Sequence, residues 1–284
     1  MSGFKAEWLA LREPHDARAR NAAVRDAALA RIADLDPVAI VDLACGTGST
    51  LRALAPLVPA RQTWRIVDND LSLLARAADS ARPERAQINA VPVDLVHDLE
   101  AALDGAVDLV ATTALLDLVS QDWLDRLVVE CAARRLPLYA ALTYDGRIAF
   151  EPADRTDAAI IAAVNAHQRS DKGFGPALGP AAATAALARL SAIGYAVTHD
   201  SADWVIGPAD REMQNELLAG WAAAAREIEA PMLDETIAWL TRRRDLVAAG
   251  SSSIRVGHID FFAAPTATRR ADRSQSNSTS QSRR

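Results

Sequence analysis

Residues 38–50 constrain the fold of this chain more than any other stretch, and they read Val-Ala-Ile-Val-Asp-Leu-Ala-Cys-Gly-Thr-Gly-Ser-Thr. The apolar, β-branched run from Val38 to Leu43 is typical of a strand buried on both faces of a parallel sheet. The two glycines that follow allow a sharp turn and a close approach of the backbone to a ligand. Ser49 is a candidate N-cap for the amphipathic stretch after it, so the segment predicts a strand, a tight loop and a helix.

The spacing of the glycines distinguishes between two nucleotide-binding patterns. The dinucleotide fingerprint is G-x-G-x-x-G, and here Leu51 stands where the third glycine would be. The run Asp-Leu-Ala-Cys-Gly-Thr-Gly instead resembles the first motif of the class I S-adenosylmethionine-dependent methyltransferases, D/E-x-G-x-G-x-G, with alanine at the first glycine. A tight βα turn without a ligand is the structural alternative. The resemblance assigns four residues of this run to the cofactor site: Asp42, Ala44, Gly46 and Gly48.

An acidic residue follows the second predicted strand at a distance that suits a ribose contact. Trp64 to Val67 is another buried run, and Asp68 comes 22 residues after Gly46. A carboxylate about 20 residues beyond a glycine loop is placed to accept hydrogen bonds from both ribose hydroxyls. The resemblance implies this role for Asp68, and we assign Asn69 beside it to the cofactor site. Asp70 is better explained as the N-cap of the following helix.

The third predicted strand supplies candidates for the adenine. Ile88 to Val93 is an apolar run that leads to Asp94 and Leu95. In the resembling family, an acid at this place meets the adenine amino group and the next residue contacts the ring, which implies these roles for Asp94 and Leu95. Asp98 is the competing candidate for this role, but its expected position as a helix cap is a sufficient structural reason for an acid there.

The fourth predicted strand ends at Thr113, near the reacting end of the expected cofactor. Ligands of open α/β sheets lie beyond the carboxyl ends of the strands, close to the point where the strand order reverses. We therefore place Thr113 in the cofactor site and Asp117 in the substrate site. Asp117 could equally form a helix cap or a local ion pair.

Residues 4–35 show helical periodicity before the first strand, interrupted at Pro14. Charged residues surround the proline, and the functional interpretation is a lid whose Arg12 or Arg20 meets a carboxylate of the cofactor or the substrate. A solvated helix face is the alternative for each arginine. We take residues 1–36 as an N-terminal helical lid and Arg12 as a substrate-binding candidate.

A segment rich in glycine and proline, residues 165–180, follows the fifth predicted strand, Leu136 to Thr143, and its next helix. Its composition favours a shaped loop, and in the small-molecule methyltransferases that the chain resembles an insertion here helps to build the substrate lid. His167 titrates near neutrality and could take a proton from a hydroxyl or an amine, which makes it the catalytic candidate. A satisfied surface histidine is the alternative. Tyr144 and Lys172 complete the substrate-binding candidates.

Charge and cysteine content limit the partners and the compartment. The formal net charge is −6, and the last twenty residues carry +4, which leaves −10 on the rest of the chain. An acidic body argues against a general nucleic-acid binder. The two cysteines form neither a disulfide framework nor a metal motif, and the sequence shows no signal peptide or long apolar span. We expect a cytoplasmic protein with a small-molecule partner and no metal, membrane or nucleic-acid partner.

The order of elements predicts an α/β fold with a doubly wound, seven-stranded, methyltransferase-like Rossmann sheet. Six strands are expected to be parallel and one antiparallel, with N-terminal helices and a helical insertion inside the final antiparallel pair. We take residues 37–264 as this domain. Residues 265–284 are rich in Ser, Thr, Gln and Arg and are expected to be a disordered tail.

The resemblance implies an enzyme that uses S-adenosyl-L-methionine to methylate an oxygen or nitrogen of a small metabolite. The string Asn-Pro-Pro-Tyr, typical of base or amide methylation, does not follow the fourth strand. A catalytically silent S-adenosylmethionine-binding partner or regulatory protein is the alternative function. A nicotinamide-dependent oxidoreductase is a third hypothesis, which the missing third glycine disfavours.

Overall fold

The computed structural model describes residues 5–80, 82–228 and 233–266. Its strands form a single sheet. They are β1 (Val38–Leu43), β2 (Gln62–Asp68), β3 (Ala86–Pro92), β4 (Leu109–Thr113), β5 (Leu138–Glu151), β6 (Tyr195–Ser201), β7 (Trp204–Ile206) and β8 (Ser253–Pro265). The α-helices of the described residues are α1 (Ala6–Ala19), α2 (Ala22–Ile32), α3 (Ser49–Leu54), α4 (Leu71–Ala78), α5 (Leu99–Ala102), α6 (Gln121–Arg134), α7 (Asp157–His167), α8 (Ala182–Ala192), α9 (Arg211–Ile228) and α10 (Leu233–Ala248).

The strand order is β3-β2-β1-β4-β5-β8-β6, with β7 paired to β8 beside β6. The pairs from β3 across to β5 are parallel, whereas β8 is antiparallel to β5, β6 and β7. The expected arrangement of six parallel strands and one antiparallel strand is therefore confirmed in β1 to β6 and β8. The eighth strand arises because β8 is long enough to pair with β6 along one half and with the short β7 along the other.

Strand β1 is buried on both faces, as its apolar run predicts. Val41 and Leu43 pack into a cluster with α6 and α8, whereas Val38 and Ile40 pack into a second cluster with α2, α3 and α4. Successive side chains of a strand point to opposite faces, so a continuous apolar run fits a strand that has helices on both sides. The sheet thereby holds the loop after β1 on a rigid base.

Three local expectations were wrong. Helix α1 continues through Pro14, because tertiary contacts hold both sides of the proline: Glu13 accepts hydrogen bonds from Arg52, and Asp16 accepts one from Trp204. Ser49 is the first residue of α3 and not its N-cap, which is Gly48 with φ 86°. Strand β5 extends to Glu151 and not to Thr143, because its second half pairs with β8.

A third apolar cluster lies outside the two faces of the sheet. It joins α7, α9 and α10 to β7 and to parts of β5 and β8. Arg243 of α10 is buried in it, pairs with Asp157 at two points and lies 4.3 Å from the ring centroid of Phe150. Helices α9 and α10 of this layer are the insertion expected inside the final antiparallel pair, whereas α7 lies between β5 and β6. The layer faces the carboxyl ends of the strands.

The end of the chain is described only to Thr266. Strand β8 reaches Pro265, one residue into the expected tail, and residues 267–284 lie outside the described residues. None of the described helices has the length and apolar character needed to cross a membrane.

Candidate functional site

A cavity of about 1250 Å³ lies beyond the carboxyl ends of β1, β2 and β4. Strands β1 and β4 are neighbours, and the order of the sheet reverses between them, which is where open α/β sheets bind ligands. Helix α1 covers one side of the cavity and α9 another.

The loop after β1 forms one end of the cavity through left-handed backbone conformations. Ala44, Gly46 and Gly48 have φ angles of 53°, 54° and 86°. A Cβ added at Gly48 would lie 3.2 Å from the Cβ of Ala77 in α4, so glycine allows the loop to pack against that helix. Gly48 itself does not line the cavity. Ala44 adopts a conformation that costs a residue with a side chain roughly 1–2 kcal/mol.

Asp68 connects the tip of β2 to this loop. Its Oδ2 accepts a hydrogen bond from the Gly46 amide at 2.8 Å, and its Oδ1 accepts one from the Asp70 amide at 2.9 Å. A carboxylate offers about four lone-pair positions, so two remain for hydroxyl donors in the cavity. Asp70 caps α4 through the amides of Ser72 and Leu73, as its position predicts.

The next strand supplies an apolar wall beside Asp68. Leu95 is buried and lines the cavity together with Val93. Asp94 does not line it, because its carboxylate accepts a hydrogen bond from the Val96 amide at 3.0 Å and turns the chain. The structure therefore offers an apolar surface for a flat ring at Leu95, and a contact from Asp94 would require its side chain to move.

A chain of buried polar groups lies behind the glycine loop. Thr113 Oγ1 is 2.9 Å from Thr50 Oγ1 and accepts a hydrogen bond from Arg20 Nη2 at 3.0 Å. Asp42 is completely buried beneath them, and neither of its carboxylate oxygens has a hydrogen-bond partner among the described residues. Burial raises the pKa of Asp42 to about 7. Asp42 does not line the cavity, so it acts on a ligand only through its neighbours.

Two further residues with side chains adopt the left-handed conformation at the cavity. Ala114 has φ 52° directly after β4, and Leu142 has φ 54° inside β5. Both line the cavity. Leu142 is held there because its amide donates a hydrogen bond to Asp260 Oδ1 at 2.7 Å, where the pairing of β5 and β8 shifts register. Strained conformations of this kind concentrate at functional sites.

The other end of the cavity is an aromatic chamber, which we define by Trp8, Tyr144, Trp204, Trp221 and His258. Ring centroids lie 6.4 Å apart for Trp8 and Trp204, 4.7 Å for Trp204 and His258, and 6.2 Å for Tyr144 and His258. These rings come from α1, β5, β7, α9 and β8. Burial lowers the pKa of His258 to about 3, so the imidazole is neutral near pH 7.

Asp117 lies between the two ends of the cavity, in the turn after β4. It lines the cavity, is only 6% exposed, and its Oδ1 has no hydrogen-bond partner among the described residues. Burial raises the pKa of Asp117 to about 6. Buried polar atoms are nearly always paired, so an unpaired carboxylate oxygen at a cavity wall requires an explanation.

His167 and Lys172 lie together at the end of α7. The His167 Nε2 is 3.0 Å from Glu227 Oε2, and its Nδ1 is 3.3 Å from the Lys172 ammonium. Both ring nitrogens therefore have protein partners, as the alternative interpretation of this histidine expects. Lys172 also donates a hydrogen bond to Ser170 Oγ at 2.9 Å.

Charged side chains hold helix α1 over the cavity through hydrogen bonds and ion pairs. Arg12 donates a hydrogen bond to Asp16 Oδ2 at 2.9 Å, and its guanidinium lies 5.2 Å from the ring centroid of Trp204. On the other side of the helix, Arg52 of α3 donates to the two Glu13 oxygens at 2.5 and 2.7 Å. The helix thus joins the glycine loop to the aromatic chamber.

Most residues that the sequence predicts for the site line this cavity, and their roles stay predictions. Those that line it are Arg12, Ala44, Gly46, Asp68, Asn69, Leu95, Thr113, Asp117, Tyr144, His167 and Lys172. Asp42, Gly48 and Asp94 do not. Four residues of the aromatic chamber were not predicted as site residues, and they come from four distant elements: Trp8, Trp204, Trp221 and His258. Large rings in amphipathic segments are compatible with a binding site, but they are equally well explained by packing in the core.

The chain was compared with protein-family models, curated proteins and solved structures. Residues 40–136 match the family model described as a methyltransferase domain. No curated protein matches the sequence. The chain is similar to the structure of a cyclopropane-fatty-acyl-phospholipid synthase-like protein from Lactobacillus casei, with 14% identity, a TM-score of 0.50, and coverage of 88% of this chain and 98% of that one. This likeness shows that the two share a fold.

Two other solved structures resemble the chain less closely in shape. One is a SAM-dependent methyltransferase from Thiobacillus denitrificans in complex with S-adenosyl-L-homocysteine, with 12% identity, a TM-score of 0.43, and coverage of 92% of this chain and 99% of that one. The other is the cyclopropane synthase MmaA2 from Mycobacterium tuberculosis, with 15% identity, a TM-score of 0.44, and coverage of 85% and 83%.

Proposed function

We propose that this chain is a class I S-adenosylmethionine-dependent methyltransferase and that it methylates an oxygen or nitrogen of a small molecule, since its residues 40–136 match the methyltransferase-domain model. One observation carries the proposal. The glycine loop with Asp68 opens into the same cavity as the aromatic chamber, so a methyl donor and an acceptor have room side by side.

The residues of the cofactor end fit an adenosyl group. Asp68 has lone pairs left for ribose hydroxyls, the Gly46 backbone approaches closely, and Leu95 offers an apolar surface for the base. When bound, S-adenosylmethionine supplies an electrophilic methyl group on a positively charged sulfur. The chain's own task is then to orient the acceptor and to keep water away from the reacting atoms.

The acceptor end supports a small molecule and not a polymer. Helices α1 and α9 cover the chamber, and buried or half-buried rings form its walls. An acidic chain also suits a small ligand better than a nucleic acid. We therefore propose a compact metabolite as the acceptor, reached through the same cavity as the cofactor.

A silent binding protein is the second candidate function, and one observation favours it. His167, the predicted catalytic residue, already contacts Glu227 and Lys172 through its two ring nitrogens. A protein that binds the cofactor without catalysing a reaction does not need a histidine that is free to act as a base. Formation of S-adenosylhomocysteine on addition of metabolite extracts distinguishes the two candidates, because a binder produces none with any extract.

Calorimetric titration with S-adenosylmethionine, S-adenosylhomocysteine and NAD tests the proposed cofactor. We expect both sulfur compounds to bind and NAD not to bind. Asp68→Ala should weaken binding of S-adenosylmethionine roughly 10- to 100-fold, because a hydrogen bond to a charged group contributes about 1.5–3 kcal/mol. Asp36→Ala is the matched control, since Asp36 precedes the amino end of β1 at the opposite edge of the sheet. Binding of NAD alone would exclude the proposed function.

A further inference from the structure

The walls of the aromatic chamber favour a flat, apolar ligand. Trp8, Trp204, His258 and Tyr144 form a continuous series of rings, each 4.7 to 6.4 Å from the next between centroids. On the opposite side the wall is formed by α9, including Trp221. Aromatic faces bind other rings through offset or edge-to-face contacts, in addition to the apolar surface that they bury.

The side of the chamber next to α9 has room for a ligand. A Cβ placed on Gly220 of α9 would meet no atom within 4 Å, and Gly220 lines the cavity. Gly220 is exposed, so a larger side chain there projects into this open space without disturbing the protein around it. Gly220→Leu therefore narrows the cavity on the side of α9.

The charged groups of the chamber are unsuited to an acidic ligand. The Arg12 charge is met by the Asp16 carboxylate at 2.9 Å, and His258 is neutral. The Lys172 ammonium is held between His167 and Ser170. An anionic ligand would have to compete with these partners and would also face the carboxylate of Asp117.

Among the described residues, Asp117 offers an unpartnered carboxylate oxygen at the cavity, and the neutral His258 offers an unpartnered Nδ1. The Asp117 Oδ1 is buried with no hydrogen bond among the described residues, and the residue forms part of the wall between the chamber and the cofactor end. Arg12 of α1 and Tyr144 of β5 are the groups of neighbouring elements that interact with it, through the Arg12 charge and the Tyr144 backbone. The Tyr144 hydroxyl is occupied, because it donates a hydrogen bond to Asn165 Oδ1 at 2.8 Å.

We propose that the aromatic chamber takes an acceptor with a flat apolar body, and that the N–H or O–H group of the acceptor's nucleophilic atom donates a hydrogen bond to the Asp117 carboxylate. The inference rests on the proposed function and specifies its substrate class as neutral aromatic amines and phenols. The hydrogen bond fixes the nucleophilic atom at the boundary between the chamber and the cofactor end. It also satisfies the buried oxygen of Asp117.

The first test measures binding to the complex with S-adenosylhomocysteine, with three probes of one shape: 4-ethylphenol, 4-ethylaniline and 4-ethylbenzoate. Calorimetry should show binding of the phenol and the amine, with the carboxylate at least tenfold weaker. Gly220→Leu should abolish probe binding and leave the affinity for S-adenosylhomocysteine unchanged. Equal or tighter binding of the carboxylate, or unchanged probe binding in Gly220→Leu, would overturn the inference.

The second test measures how binding of a probe changes with pH as Asp117 gains or loses its charge. Its pKa of about 6 means that 4-ethylphenol should bind several-fold more tightly at pH 7.5 than at pH 5, because only the ionised carboxylate is a pure acceptor. Tyr144, with a raised pKa, and His258, with a pKa of about 3, do not titrate in this interval. Asp117→Asn should remove the dependence on pH. An identical pH profile in the variant would refute the role of Asp117.

The two tests separate the inference from the function on which it rests. If S-adenosylhomocysteine fails to bind, the proposed function is wrong, and the probes can still be titrated against the protein alone. If S-adenosylhomocysteine binds and the three probes show the wrong order of affinity, only the assignment of the chamber is wrong.

Discussion

Ala44 stands in a backbone conformation that glycine adopts without cost. Its φ of 53° is stabilised by the surrounding loop, which packs against α4 and receives the Gly46–Asp68 hydrogen bond. We predict that Ala44→Gly raises the free energy of unfolding by about 1 kcal/mol, because the strain of the left-handed conformation is removed. Denaturation with urea measures the change.

The matched control for Ala44 is another alanine of the same segment. Ala39 lies in β1 with ordinary extended geometry, so Ala39→Gly should lower the free energy of unfolding by roughly 0.5–1 kcal/mol. The two substitutions are chemically identical and should have opposite signs. A loss of stability in Ala44→Gly similar to that in Ala39→Gly would show that the loop is not strained.

Asp42 should make stability depend on pH. Its pKa is about 7 in the folded protein and 3.8 in the unfolded chain, so the folded state holds the proton more tightly. Its contribution is fully present below pH 3.8 and is lost as the pH rises through 7. Asp42→Asn should flatten the decline in unfolding free energy between pH 5 and pH 8, measured with urea. A variant that keeps the whole slope would assign the pH dependence to other groups.

For single residues, the sequence predicted which residue types form the site better than it predicted their backbone conformations. The motif resemblance located Gly46 and Asp68, which the structure joins at 2.8 Å. It could not show that Ala44 keeps a positive φ or that Leu142 shares this property inside a strand. The conformation of Leu142 depends on a hydrogen bond from its amide to the distant Asp260, which leaves no local pattern in the sequence.

Among the elements, α1 is the one whose attachment we expect to control ligand exchange. It covers the cavity and is tied to the glycine loop by the Glu13–Arg52 ion pair. We predict that Glu13→Gln accelerates dissociation of S-adenosylhomocysteine up to about fivefold, because a partly exposed ion pair contributes at most about 1 kcal/mol. Stopped-flow displacement measures the rate. Glu7→Gln, on the exposed face of the same helix, should leave it unchanged.

Prediction of elements succeeded where short-range patterns determine the structure. The buried run of β1 was predictable because apolar residues on both faces imply helices on both sides, whereas β2 alternates, with Thr63 and Arg65 only half-buried. The continuity of α1 through Pro14 was not predictable, because contacts with Arg52 and Trp204 outweigh the local effect of the proline. The aromatic chamber was hidden for the same reason, since its rings come from five separate elements.

For the molecule as a whole, the helical layer of α7, α9 and α10 depends on a buried ion pair. Arg243 is fully buried, pairs with Asp157 and donates a hydrogen bond to the Pro152 carbonyl at 2.7 Å. Arg243→Ala should lower the free energy of unfolding by roughly 3–5 kcal/mol, because it leaves a buried carboxylate without its cation. Arg244→Ala, at the exposed neighbour, should change it by less than about 0.5 kcal/mol. Equal effects of the two substitutions would contradict the burial of this pair.

The aromatic chamber and the Asp68 loop share one continuous space. A single inhibitor that links adenosine to an aryl group by a short flexible tether would therefore reach both ends at once. Once the nucleoside half is seated, the tether holds the aryl half at a high effective concentration, so the conjugate should bind far more tightly than either fragment. The length of the tether that gives the tightest binding would measure the distance between the Asp68 loop and the aromatic chamber.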